Sequence, residues 1–344
     1  MKLHLSIYGI GVEILAHRLE IASVLENLGK DFDYFRVEQP DSEIRIRLEL
    51  KASEFDLSAE HPGPRLFKTK MCDVHGLGPY RFCNYGQGVW VKAVNSPSIR
   101  NFSVFGMAPD LIYEAAYVAL LSSIGEELDQ LGYHRLHSVG VQVNGAGAAL
   151  AADSGQGKSA TAILLGQNAG VKVFSDEMPL IRQGVIYPFP IRMALHPHIA
   201  TSLGLNPSGT RQFKRKIYPT KALFEISRDA VAQPSPLRFL FVGVSGGVAQ
   251  ARPLQVFERS KFVIAFVLGL GLPQMAEHML RANNILSLGR IAVSRLFTAF
   301  SLLGWGRSHT RAYAFVLTRN ARENAQSLST ELEKLSLQND PKLF

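Results

Sequence analysis

Three groups of residues in this 344-residue chain could do chemistry together. The first is Ala152-Asp153-Ser154-Gly155-Gln156-Gly157-Lys158-Ser159, followed by Ala160. Its end matches the phosphate-binding pattern G-x-x-x-x-G-K-[ST], with Ala152 where the pattern has glycine. Glycines let consecutive backbone N–H groups converge on phosphate oxygens, and the helix that follows adds its positive N-terminal end. Lys158 is placed to reach the β- and γ-phosphates, and the Ser159 hydroxyl to coordinate Mg²⁺. Residues Asp153 to Ala160 are therefore the candidate ATP-binding segment. The second group is the acid pair Asp176-Glu177, directly after the apolar run Val171-Lys172-Val173-Phe174. Many phosphate-loop enzymes hold an acid there, near the metal or the nucleophile; a helix N-cap or a plain loop acid accounts for the pair equally well. The third is His137, which read alone is more often a packed strand-end histidine.

These residues need elements to hold them. From His137 to Glu177 the pattern runs strand, Gly-rich turn (Asn144-Gly145-Ala146-Gly147), strand, Gly-rich loop, apolar helix and short apolar strand, the α/β signature. Ahead of it, residues 1–108 read as β-rich. Glu43 to Glu49 alternates with the period of a half-buried strand, and Gly88–Val94 and Asn101–Phe105 are further strands. A helix starts at Pro109-Asp110 and stops near Gly132. Leu237–Val244 reads as a strand, Arg259–Gly306 as two or three apolar helices, Ala312–Leu317 as a last strand, and 321–337 as a polar helix. The expected division is 1–108 (β-rich), 109–256 (the nucleotide-binding core) and 257–344 (a mainly helical, basic region packing on the core).

Composition excludes several classes. With 47% hydrophobic and 19% charged residues the chain is neither disordered nor collagen-like. Two cysteines, Cys72 and Cys83, make no disulfide scaffold and no four-cysteine zinc site. Glu13 and Arg18 interrupt the mildly apolar start before a signal-like core develops, and the longest uncharged stretch near the C-terminus, 262–276, is too short to span a bilayer. A cytoplasmic protein is expected. The net charge is +8, and residues 259–322 hold nine Lys and Arg against one acid, Glu277. Such a field attracts nucleotides, acidic peptides, nucleic acid or anionic lipid, and half the weight goes to plain solvated surface.

From His137 to Glu177 the chain resembles the HPr serine kinases and the shorter HPr kinase-related proteins. That family shows a histidine, an apolar strand, a Gly-x-Gly turn, a second strand, then a G-x-S-G-x-G-K-S loop. Here these are His137, Val139–Val143, Gly145-Ala146-Gly147, Ala148–Ala151 and the loop ending Gly157-Lys158-Ser159; the Ser175-Asp176-Glu177 triplet is similar to the related proteins' acid pair. The resemblance implies a phosphate-loop core that uses ATP and Mg²⁺ to phosphorylate a hydroxyl. Asp176 would take the proton of an acceptor serine, and His137 would orient Asp176. Glu177 and Ser159 would serve the metal, and Lys158 the phosphates. The Glu-Ile-Arg-Gly-type segment of HPr kinases is missing, and Tyr187-Pro188-Phe189-Pro190-Ile191-Arg192 stands instead, similar to the related kinases. HPr is thus set aside as the acceptor, and a second metal-binding acid is unassigned.

The leading expectation is a kinase acting on a serine of a peptide or protein, a precursor peptide among the candidates. A small-molecule hydroxyl kinase comes second and a non-catalytic nucleotide sensor or scaffold third. A nucleic-acid protein ranks last for want of a binding motif. The family's oligomers make a homo-oligomer one expected state. Arg192 is a candidate for the phosphates or the acceptor, with an exposed loop arginine as the equal alternative. Arg211, Lys214, Arg215, Lys216 and Lys221 form a basic cluster read mainly as solvated surface. Trp305 and Leu296–Leu303 read as core; an uncovered apolar face rimmed by Arg290, Arg295 and Arg307 would instead suit an anionic membrane surface.

Overall fold

The computed structural model describes residues 1–94, 99–153, 155–168, 170–270, 285–304 and 310–337. It is mixed α/β. In chain order the first part comprises β1 (Lys2–Ile7), β2 (Ile10–Ala16), α1 (Ala22–Asp31), β3 (Arg36–Val37), β4 (Ile44–Ala52), β5 (Arg65–Lys68), β6 (Asp73–Leu77), β7 (Tyr80–Gly86), β8 (Val89–Val94), β9 (Arg100–Gly106) and α2 (Pro109–Gln130). Next come β10 (His134–Arg135), β11 (Ser138–Val143), β12 (Ala146–Ala151), α3 (Lys158–Gly166), β13 (Val171–Ser175), β14 (Leu180–Arg182), β15 (Val185–Tyr187), β16 (Met193–Leu195), α4 (Pro197–Ser202), β17 (Arg211–Phe213) and β18 (Lys221–Phe224). The last are β19 (Ser235–Ser245), β20 (Ala251–Pro253), α5 (Val256–Leu268), α6 (Ile285–Leu302), β21 (Arg311–Leu317) and α7 (Ala321–Leu337).

Among the described residues the chain forms two compact units. One gathers Met1–Leu128 and Asn206–Glu225, the other Asp129–Leu205, Ile226–Leu272 and Leu286–Phe344. This partition by tertiary contact runs across the three segments drawn from local pattern: α2 goes with the β-rich part as far as Leu128, and β17–β18 return to it.

In the first unit nine strands pair in the order β3-β1-β2-β4-β9-β8-β7-β6-β5, with β4 parallel to both β2 and β9. The alternation read in the sequence decides which face is buried: Ile46, Leu48 and Leu50 point inward, while Arg45, Arg47 and Glu49 are only partly covered. Helix α2 is apolar around most of its circumference and is buried along nearly its whole length. The basic cluster near 211–221 is tied down within this unit. Arg211 donates to Asp31 Oδ1 at 3.0 Å and to the Asn27 carbonyl at 3.2 Å, and Tyr113 Oη donates to Asp31 Oδ2 at 2.5 Å. Lys214 pairs with Asp110 at 2.8 Å, and the Lys216 N–H donates to Glu114 Oε2 at 2.7 Å.

In the second unit the sheet path is β10-β14-β15-β19-β12-β11-β13, with β21 parallel to β19 and β20 against β21. Alternate residues of β12 serve opposite layers. Ala149 and Ala151 pack with Phe262 and Phe266 of α5 and Ala299 and Leu302 of α6; Ala148 and Leu150 pack with Ala162 and Leu165 of α3 and Leu328 and Leu332 of α7. Helices therefore cover both sheet faces, which gives every central strand two apolar sides.

A buried charge cluster anchors α6. Asp129, with 1% of its side chain exposed, accepts hydrogen bonds from Arg295 Nη2 at 2.6 Å and Arg135 Nη2 at 3.2 Å, and His134 Nδ1 lies 3.2 Å away. Burial works to raise the Asp129 carboxyl, but Arg295, His134 and Arg135 together hold it well below the usual carboxylate range. Arg295, which the membrane alternative set on the rim of an apolar face, is thus an internal ion-pair residue. Arg307 and Trp305 lie outside the described residues. Among the described residues no helix is long and apolar enough to cross a membrane.

Candidate functional site

Strand register brings the three chemical groups side by side. β11 is the middle strand of β12-β11-β13, antiparallel to both neighbours. Ser138 at its start pairs with Ala151, the last residue of β12, and the Ser138 N–H donates to the Glu177 carbonyl at 3.1 Å. The Leu136 N–H likewise donates to the Pro179 carbonyl at 3.0 Å. His137, between them, stands where β12 runs into the Gly-rich loop on one side and β13 runs into the acid pair on the other. Three segments separated in sequence therefore meet at one end of the sheet.

The loop's backbone is set by its glycines. Gly155 and Gly157 have φ of +85° and +81°, a left-handed conformation that costs a side-chain-bearing residue about 1 kcal/mol or more. Gly157 is the N-cap of α3 and no side chain caps the helix, so its first N–H groups are not claimed by a capping residue. The loop is braced outside its own residues: Gln156 Nε2 donates to Ser245 Oγ at 3.2 Å, and Lys261 Nζ of α5 donates to Asp153 Oδ2 at 2.7 Å. Ser154 lies outside the described residues. Ser159 is half-buried and Ala160 buried in the first turn of α3.

The position where glycine was expected holds Ala152, and the neighbouring strand makes room for it. A Cβ built on Gly243 of β19 would lie 2.5 Å from the Ala152 Cβ. The glycine missing from the loop is matched by one across the strand pair.

Lys158 is 8% exposed. Its Nζ donates to the Ala152 carbonyl at 2.6 Å and to the Asp153 carbonyl at 3.0 Å, and lies 3.2 Å from His137 Nε2. Burial first, then the neighbouring ammonium, push the His137 imidazole down to about 4, against the opposing pull of Glu177 and Asp153. The ring is therefore neutral near pH 7, with Nε2 accepting from Lys158. The sequence paired His137 with Asp176; the hydrogen bond to Lys158 was not foreseen, although the two residues stand 21 apart on either side of one strand pair.

The acid pair is held by Ser175, which is fully buried and closes β13. Its Oγ accepts from the N–H of Met178 at 3.0 Å and of Glu177 at 3.3 Å, turning the chain so that the two acids leave the strand together. Asp176 is 3% exposed, whereas Glu177 is partly open to solvent. The Phe189 N–H donates to the Phe174 carbonyl at 2.9 Å, laying the Pro-Phe-Pro segment along β13. Arg192, four residues after Pro188, is 5% exposed and so is not the exposed loop arginine weighed above.

Ser159 and Glu177 are the residues that could touch a metal. Among the described residues no group of three or more His, Cys, Asp or Glu is arranged to hold one by protein ligands alone. Ser245, Gly243 and Lys261 were missed by sequence reasoning; the only available signal was the parallel strand ending near Val244, which has to finish beside the loop. No family model matches the chain, and neither does any curated protein.

Proposed function

We propose that the chain is an ATP- and Mg²⁺-dependent kinase of the HPr kinase-related type, transferring the γ-phosphate to a hydroxyl, and that its acceptor is a serine of a peptide or protein. One observation carries the reading: the register of β12, β11 and β13 sets the Gly-rich loop, His137 and the Asp176-Glu177 pair at the same end of one sheet. In-line phosphoryl transfer requires a phosphate cradle and an acid for the acceptor, close together.

The N–H groups at the start of α3 and the Lys158 ammonium would hold the phosphates, and the Ser159 hydroxyl, with Glu177, would hold the metal. Bound Mg²⁺ would neutralise charge developing on the transferred group. Asp176 would accept the proton of the attacking hydroxyl, a poor nucleophile until deprotonated. His137, neutral near pH 7, would accept from Lys158 and so fix the direction of the ammonium without adding a second positive charge. The Lys261–Asp153 ion pair would offset the negative charge that Asp153 brings to the cradle.

The test is phosphate transfer from ATP to a pool of cellular peptides and metabolites, read by mass spectrometry, with wild type beside Asp176→Asn. The expected result is transfer to a peptide serine, reduced at least about a hundredfold in the variant, as for loss of a general base, with ATP affinity retained. Transfer to a metabolite would select the small-molecule kinase instead. ATP binding with no transfer by either protein would select the sensor, and absence of ATP binding would end the phosphate-loop reading.

A further inference from the structure

Helices α5 and α6 lie on the same face of the second sheet. Phe262 and Phe266 from α5, and Ala299 and Leu302 from α6, enter one core layer with Leu240, Val242 and Ala314 of the strands. Two helices with one side down on the same sheet face turn their other sides outward together. On α5 that outer side carries Phe257, Lys261, Ile264 and Leu268, at helical spacing; on α6 it carries Arg290, Val293 and Phe297. Phe257 is 77% exposed and Phe297 72%, values that belong neither to a core nor to a solvated charged face.

Among the described residues, the charged side chains that α5 and α6 themselves turn outward are cations. Lys261 and Arg290 lie among them, whereas Arg259 stands on the opposite side of α5 with its guanidinium on the Leu254 carbonyl; Asp153 of the Gly-rich loop reaches the edge of the face and pairs with Lys261. Glu258 is buried against Arg252 and caps α5, so it does not offset them. Apolar side chains interleaved with cations on one side of a helix are the pattern of a helix that lies in a lipid headgroup region. A second copy is a poorer occupant, because it would set Arg290 against a face whose acid, Asp153, is already paired with Lys261.

We propose that the outer side of α5 and α6 is a docking surface for an anionic phospholipid bilayer. The apolar side chains enter the boundary between headgroups and acyl chains, and Arg290 meets lipid phosphates. The surface adjoins the Gly-rich loop, because Lys261 also reaches Asp153. The inference rests on no part of the kinase reading, and its test does not use ATP.

The test is co-sedimentation of the full chain with vesicles of equal parts phosphatidylglycerol and phosphatidylcholine, beside vesicles of phosphatidylcholine alone. Binding is expected to the anionic vesicles and to fall with added salt. The double variant Phe257→Ser/Phe297→Ser should bind roughly 30-fold more weakly, the loss of two half-buried aromatic rings. Arg290→Ser should bind about fivefold more weakly, on anionic vesicles only. Both positions are exposed, so circular dichroism should show the double variant folded. Absence of binding to anionic vesicles overturns the proposal, as does undiminished binding by the folded double variant. A dimer in sedimentation that the double variant abolishes would assign the face to a second copy. Capture of polyglutamate by this face without vesicle binding would assign it to an acidic protein. Either result overturns the lipid assignment.

Discussion

Gly243→Ala should damage the Gly-rich loop from outside it. The new methyl carbon would sit 2.5 Å from Ala152 Cβ, 2.7 Å from Leu317 Cδ1 and 3.3 Å from the Ala151 carbonyl oxygen, where ordinary contact is 3.4–4 Å. Leu317 can swing the end of its side chain away. The Ala152 Cβ is fixed to the backbone, so relief requires moving the loop's first residue or β19 itself. Overpacking of this kind costs about 1–3 kcal/mol; 2 kcal/mol in the middle of that range lowers Tm by roughly 3 °C at this chain size. The same shift moves the Ala152 carbonyl that accepts from Lys158 at 2.6 Å. Ala152→Gly removes the atom being struck and by itself costs up to about 1 kcal/mol of backbone entropy. The double variant should therefore recover at least about 1 kcal/mol of the loss from Gly243→Ala. Urea denaturation of the four proteins gives the coupling energy directly. A coupling within about 0.5 kcal/mol of zero would refute the account, because contacting residues should not behave additively.

Two further predictions concern buried charge. His137 titrates near 6.5 when unfolded and is held down to about 4 in the folded chain, so its contribution to stability is complete above pH 6.5 and lost as the pH falls through about 4. By NMR, Lys158→Met should raise the His137 pKa, since the neighbouring charge is the second cause of its depression, yet leave it short of 6.5 because burial persists; an unchanged value would show that the ammonium does not act on the ring. Asp129→Asn would leave Arg135 and Arg295 buried against a neutral amide and should cost about 3–5 kcal/mol in chemical denaturation. The wild-type carboxylate contributes stability above pH 3.8 that is lost as the pH falls through its lower folded value, so the variant should also lose that part of the acid limb; a cost below about 1 kcal/mol would mean the cluster is not a structural anchor.

Local pattern carried much of the fold. Strict alternation located β4, the pairing of Pro109 with Gly132 bounded α2, and the polar stretch after Leu317 became α7, because in each case the period or the cap is written in neighbouring residues. The hairpin of β1 and β2, helix α1 and the short strands β5 and β6 were not read. β1 and β2 alternate and meet across a two-residue turn, Ile7 opposite Ile10, so their signal was local and went unused; β5 and β6 are short and only partly apolar. The site divides in the same way. The Gly-rich loop and the acid pair are local motifs and were legible. The support from Ser245, Gly243 and Lys261 was not, because it arrives across a parallel strand and from a helix about 100 residues away. Arg192 and Arg295 are decided by tertiary burial: of the two alternatives weighed for Arg192 the exposed one falls, and Arg295, a rim residue in the membrane alternative, is buried against Asp129.

The Arg211–Asp31 ion pair sets an order of events during synthesis. Asp31 leaves the ribosome 180 residues ahead of its guanidinium partner, an interval of roughly 10 to 40 s at ordinary elongation rates. Until Arg211 arrives, the carboxylate at the end of α1 has the Tyr113 hydroxyl but not its guanidinium, so the final burial of α1 against β1 and β2 is disfavoured. The strands of the first unit can pair early, but that unit closes only after the loop, His137 and the acid pair of the second have been made. A nascent chain stalled before residue 211 should hold α1 exposed to protease, and one released beyond it should not.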